Sequence, residues 1–211
     1  MLTFLSMSPS RTLPPDRRQR LLETAVREFA EAGYQAASLN RIIRACGMSK
    51  SSFYYYVASK DALFDLVVTE LGDTLLRTLD LPDPERLAGP DFWTQLHELA
   101  ERLTREGQTN PRLIEFGRLF GLRDAPQDPG RPLTRVREAI NDWVQRALRA
   151  GHASGMVRDD LPHALQRELV LAVLWTMDAW TVQQMHAGEI VQPAELAAAE
   201  VDAIRRLLAP A

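Results

Sequence analysis

Lysine occurs at only two of 211 positions, Lys50 and Lys60, and cysteine at one, Cys46. A single cysteine excludes an intrachain disulfide and any cysteine-based metal cluster, and it suits a reducing compartment. No run of 18 apolar residues occurs, which argues against a membrane-spanning helix. The opening MLTFLSMSPSRTLPPDRR has too short an apolar run for a secretory signal, and its positive charge follows that run. Strand-like alternation with β-branched enrichment is missing throughout, so the expected fold is all-α. The four histidines, His97, His152, His163 and His186, do not fall at metal-ligand spacing with carboxylates, and no base accompanies Cys46. Neither a metal, a cofactor nor a catalytic set is expected.

What is present is unevenly placed. Both lysines and three of the four tyrosines fall within CGMSKSSFYYYVASKDALF, Cys46 to Phe64. Hydrophobic residues make up 45% and charged residues 25%, as in an ordinary globular protein. The net charge of -3 conceals a split. Through Val57, eight basic side chains (Arg11, Arg17, Arg18, Arg20, Arg27, Arg41, Arg44, Lys50) face four acids (Asp16, Glu23, Glu28, Glu31), while the remaining 154 residues carry a net -7. The basic front suits a polyanion, and the acidic remainder would be repelled by one.

Helical periodicity begins at Asp16, with Leu21, Leu22, Ala25, Phe29 and Ala30 on one stripe and Gly33 as the stop. Ser38 caps a short second helix carrying Leu39, Ile42, Ile43 and Ala45, and Gly47 supplies a tight turn. Ser49 caps a third helix over Lys50–Tyr56, and Ser59 a fourth from Lys60 to about Leu81. Two short helices joined by a glycine turn form a helix-turn-helix. After the linker LPDPERLAGP, helices are expected at roughly 91–106, 111–122, 132–152, 163–186 and 193–208. Residues 16–62 thus read as one domain and 63–210 as a second.

On the third helix, Phe53 and Tyr56 lie three residues apart and face inward, with Val57 extending that face. Ser51, Tyr54 and Tyr55 then face outward, with Ser52 at the margin. A short helix, basic at its start and polar along its exposed face, fits a DNA major groove. The alternative is that the tyrosines are packed core. LVLAVLW, Leu169 to Trp175, is apolar on every side and must be covered all round. Paired with the stripe Leu196, Val201, Ile204 and Leu208 of the last helix, it suits a four-helix interface between two copies, or a central position in a monomer.

The segment from about Arg18 to Phe64 resembles the DNA-binding domain of the tetracycline-repressor (TetR) family of bacterial regulators. Three blocks carry the resemblance: AVREFAEAGY (Ala25–Tyr34), SLNRIIRACGMS (Ser38–Ser49) and KSSFYYYVASKDAL (Lys50–Leu63), spaced as in the family without insertion. The resemblance implies phosphate contacts from Ser38, Lys50, Tyr55 and Lys60, and base-edge or groove contacts from Ser51, Ser52 and Tyr54. It implies Gly47 as the turn and Phe53, Tyr56 and Val57 as the anchoring core. The chain departs from the family pattern at Ser51, where glycine or another small residue is usual, at Tyr55, where histidine is common, and at Ile43, where alanine is usual.

The same resemblance implies a cytoplasmic homodimer that binds a palindromic double-stranded DNA operator and releases it when a small-molecule effector enters the larger domain. No membrane is involved. All four tryptophans lie beyond residue 92. Trp93, Phe116, Phe120, Trp143 and Trp175 are candidates to line an effector cavity, or else plain core. Asp178, in an apolar run, faces either a cationic ligand inside or solvent outside. Two other readings stay open: a helical enzyme or carrier for apolar molecules, and a regulator controlled by a protein partner.

Overall fold

The computed structural model describes residues 13–122, 124–187 and 192–210. Among them are nine α-helices and one 3-10 turn, so the all-α expectation holds. The SPS and TLPP segments lead to the expectation of a loose arm over residues 1–15, of which residues 1–12 lie outside the described residues. The chain divides into two compact units between Val67 and Val68, a few residues beyond the boundary read from the sequence.

The first unit contains α1 (Pro15–Ala36), α2 (Leu39–Ala45), α3 (Lys50–Tyr56) and the start of α4 (Lys60–Leu79). Proline at the first position of α1 fits there because that N–H would have no intrahelical partner. Leu21, Ala25, Val26 and Phe29 form its buried face, with Val26 rather than Leu22 completing the stripe. Gly33 interrupts the helix where a stop is expected, and a short helical turn follows it to Ala36. The glycine takes φ 77°, a left-handed value, and the kink turns Tyr34 back onto the core. Tyr34 lies 5.1 Å edge-on from Phe64, and Phe64 lies 5.1 Å edge-on from Phe29, the T-shaped geometry that aromatic rings favour.

The second unit holds the rest of α4, then α5 (Phe92–Thr109), α6 (Pro111–Phe120), α7 (Pro132–Ala153), α8 (His163–Ala187) and α9 (Pro193–Leu208). The expected linker is partly structured: Pro84–Leu87 form a 3-10 turn with Pro84 and Leu87 buried. Trp143 on α7 donates to the carbonyl of Pro82 at 3.0 Å, and Arg146 bridges Asp83 and Glu85. The core is built from Phe92, Trp93, Val144, Leu148, Val157 and Leu208, among others, with α5 and α8 both packed on α9. Gln166 is fully buried, and its amide donates to the carbonyls of Arg158 and Leu161, strapping the turn before α8.

Helix α8 is only partly covered within one chain. Of Leu169–Trp175, Val170 alone is fully buried, while Leu165 and Trp180 stand exposed on the same helix and Leu207 on α9. Two carboxyls lie along these helices. Desolvation by neighbouring groups pushes Asp178 up to about 6, although the residue is exposed in the single chain, which weakens that effect. Burial, with the charge of Asp178 added, pushes Glu200 up to about 8. A folded-state pKa above the unfolded value means that the folded chain holds more protons between the two. Stability from these groups is therefore complete only below the unfolded values of 3.8 and 4.5, and falls as pH rises towards 8. Thermal melts from pH 5 to 8 in constant ionic strength should show the second unit losing stability across that range, with the slope flattened in Glu200→Gln. A wild-type profile that is flat or rises with pH would contradict this assignment.

Candidate nucleic-acid interface

The geometry of α3 follows from its two ends. Ser49 at the N-cap accepts the Ser52 N–H at 3.1 Å, and its hydroxyl lies 3.1 Å from that of Ser51. Gly47 holds φ 65° with open space where a Cβ would point, so backbone conformation rather than crowding calls for glycine there. Phe53 is fully buried and Val57 nearly so, which fixes the helix by one face. Tyr56, expected in that anchoring set, is only half-buried.

The opposite face is open. Tyr54 and Tyr55 are each 50% exposed, a large value for an aromatic side chain in a folded domain. Neither ring is loose: Tyr54 meets Phe53 edge-on at 5.2 Å, and Tyr55 meets Tyr56 edge-on at 4.9 Å. Lys50 and Ser51 are exposed beside them and Ser52 is half-buried, the distribution expected from helical periodicity. The arrangement presents two buttressed phenols, two hydroxyls and one ammonium on a single short helix. Phenol and hydroxyl groups donate to phosphate or base edges, and the ring bodies can lie against sugar or a thymine methyl.

Ser38 and Lys60 are placed differently. The backbone N–H of Ser38 donates to Glu28 at 2.7 Å, and its hydroxyl caps α2 by accepting the Arg41 N–H at 3.4 Å. Arg41 in turn donates through Nε to both Glu28 oxygens, at 2.8 and 3.1 Å. The hydrogen bond from Arg41, aided by that from Ser38, outweighs burial and holds the Glu28 carboxyl below its usual range. This lock between α1 and α2 was not read from the sequence, although an acid, a cap serine and an arginine at these spacings were its available signal. The Lys60 ammonium donates to the carbonyls of Gln35, at 2.9 Å, and Ala37, at 3.5 Å, and lies 4.9 Å from the centre of the Tyr34 ring. Tyr34 also hydrogen-bonds Asp61. Two of the three ammonium donors are thus engaged within the fold.

The effector candidates fall in three places. Trp93 is core, its indole donating to the Met156 carbonyl at 3.0 Å. Trp143 is tied to Pro82. Phe116, Phe120 and Trp175 form one cluster, with Phe120 5.8 Å from Phe116 and 5.0 Å from Trp175. Asp178 lies with Glu200. An open groove of about 1000 Å³ near His152, His163, Arg205 and Arg206 includes none of them. Among the described residues, no three histidine, cysteine or acidic side chains could hold a metal, and no helix is long and apolar enough to cross a membrane.

Residues 21–67, which include all of α2 and α3, match the family described as bacterial regulatory proteins, tetR family. The chain is also 30% identical over 158 residues to the HTH-type transcriptional repressor Rv1474c of Mycobacterium tuberculosis, covering 72% of this chain and 74% of that one. The chain belongs to the TetR family. Another relative, the HTH-type transcriptional regulator UidR of Escherichia coli strain K12, is 25% identical over 73% of this chain and 76% of its own. The same fold occurs in a TetR family regulator of Chloroflexus aurantiacus, with a TM-score of 0.68 at 22% identity over 95% of this chain and 96% of that one. A putative tetR family regulator from Shewanella matches with a TM-score of 0.63 at 18% identity over 92% and 99% of the two chains. TetR family membership makes the chain a DNA-binding transcriptional regulator and not an enzyme, which removes the catalytic reading left open by the sequence.

Proposed function

We propose that the protein is a cytoplasmic, dimeric repressor that reads a palindromic operator through α3 and releases it when a small apolar or amphipathic effector binds the larger unit. The observation that carries the reading is the outward face of α3, where Tyr54 and Tyr55 stand half exposed on a helix pinned by Phe53. Residues 16–62 are the DNA-binding domain. Within it, Lys50, Tyr55, Ser38 and Lys60 grip phosphates, and Ser51, Ser52 and Tyr54 face the groove. The partly uncovered apolar surfaces of α8 and α9 support dimerisation by a second copy over residues 63–210. In such a dimer the two α3 helices address half-sites roughly 34–36 Å apart. A clean switch requires an effector that prefers the DNA-incompetent state by about 5 kcal/mol. The repressor function of the mycobacterial relative supports the sign of regulation.

Selection from random duplex DNA, run with wild type beside Tyr54→Ala, tests this reading. The expected result is an enriched inverted repeat with wild type, and at least a roughly tenfold weaker affinity for it in the variant. The variant should keep wild-type melting, because the Tyr54 ring is half exposed. A wild type that enriches no repeat, or a variant that binds it equally well, would rule out α3 as the reader.

A further inference from the structure

The arginines of the larger unit differ in their partners. Arg146 sits between Asp83 and Glu85, Arg158 against Asp160, and Arg167 against Glu168. Arg137 on α7 has no carboxylate partner among the described residues. Its Nη2 donates to the Phe120 carbonyl at 2.9 Å, and its guanidinium lies 5.2 Å from the centre of the Phe120 ring. Burial alone lowers the pKa of Arg137, whereas hydrogen bonds donated to acids raise those of Arg146 and Arg158. Arginine stays ionised even so. A half-buried cation without an anion is costly, and the ring face and the carbonyl ending α6 offset only part of that cost.

Capping α6 is the plainest role for Arg137, but it uses one of five N–H donors. The ring against it is Phe120, and that ring belongs to an aromatic cluster. Phe120 leans on Phe116 on one side and on Trp175 of α8 on the other. Phe116 is buried, while Phe120, Trp175 and Arg137 are each only partly covered. Three helices thus bring an unneutralised planar cation to the edge of an apolar wall. A flat guanidinium with spare donors matches a carboxylate in a bidentate pair, and the wall matches an apolar or aromatic body.

We propose that Arg137 is the anion-binding residue of the effector site, and that the effector is a small organic carboxylate whose apolar body lies against Phe120 and Trp175. This rests on the ligand-responsive reading above and narrows it to one chemical class. It also separates Arg137 from Asp178, whose carboxyl is accompanied by Glu200 on α9 and would favour a cation.

The test uses the full-length protein and matched ligand pairs of equal shape: 1-naphthaleneacetate with 1-naphthaleneacetamide, and decanoate with decan-1-ol. Binding is followed by quenching of tryptophan fluorescence, with Trp175→Phe identifying the reporter. Wild type should bind each carboxylate about ten- to a hundredfold more tightly than its neutral partner. Arg137→Gln should reduce that preference to within about twofold without weakening the neutral ligand, and Arg137→Lys should keep part of it. Equal binding of acid and neutral partner by wild type overturns the carboxylate assignment and leaves a ligand site standing. A preference that survives in Arg137→Gln overturns the role of Arg137 alone. Absence of binding in both pairs overturns the ligand site itself and the proposal with it. The comparison within wild type needs no variant, so a poorly folding Arg137→Gln would not rescue the idea.

Discussion

Alanine at Phe53 is expected to destabilise the first unit by about 3–5 kcal/mol. Phe53 is the one residue of α3 that is fully buried, so its removal leaves a cavity beneath a helix with no other complete anchor. A unit of this size has a total stability of only about 3–8 kcal/mol by the usual per-residue scale. The loss is therefore comparable to everything holding α3 in place. Hydrogen exchange should show protection collapsing in α2 and α3 while α5, α7 and α9 keep theirs, and operator binding should vanish with it. Full protection of α3 in the variant would mean that the helix is held by something other than Phe53.

Gly151→Ala should be the corresponding lesion of the second unit. In isolation the change favours a helix by about 1 kcal/mol. Here a Cβ would fall 2.5 Å from Val157 Cγ2 and 3.0 Å from Phe92 Cζ. Neither neighbour is the free end of a flexible chain: Val157 is β-branched and Phe92 is 1% exposed in the core. Overpacking of this kind costs about 1–3 kcal/mol, which exceeds the gain in propensity. The melting temperature of the unit should fall by several degrees. Adding Val157→Ala should recover part of the loss, because it removes the methyl that clashes, and the two changes should be non-additive. A variant as stable as wild type would show that α7 can shift away from Phe92 without penalty.

The helices were legible because their punctuation is local. Ser38, Ser49 and Ser59 mark starts, Gly47 marks the turn, and prolines open α1, α7 and α9, so the nine helices lie close to their expected bounds. Gly33 was legible as the break in α1, but not the helical turn that follows it, which depends on Tyr34 packing onto Phe29 and Phe64. The outward face of α3 was equally plain, since period alone places Tyr54 and Tyr55 opposite Phe53. Lys60 was not. The sequence shows an ammonium at the start of a helix but not the carbonyls of Gln35 and Ala37, which reach it only once α1 has folded. In the larger unit, aromatic composition pointed at Trp93, Trp143 and Trp175 alike. Only tertiary packing separates the core indole of Trp93 from that of Trp175, which lies against Phe120, because nothing in one-dimensional spacing records which helices meet.

The position of Lys60 also changes where a cost is borne. A long ammonium side chain gives up roughly 2 kcal/mol of rotamer freedom when it is fixed in one place. At Lys60 that restriction accompanies the folding of the first unit, through the two carbonyls and the Tyr34 ring. In the proposed DNA complex, a phosphate arriving at its remaining donor would meet a cation that is already immobile. Its ordering is therefore a term in the stability of the free protein and drops out of the affinity for DNA.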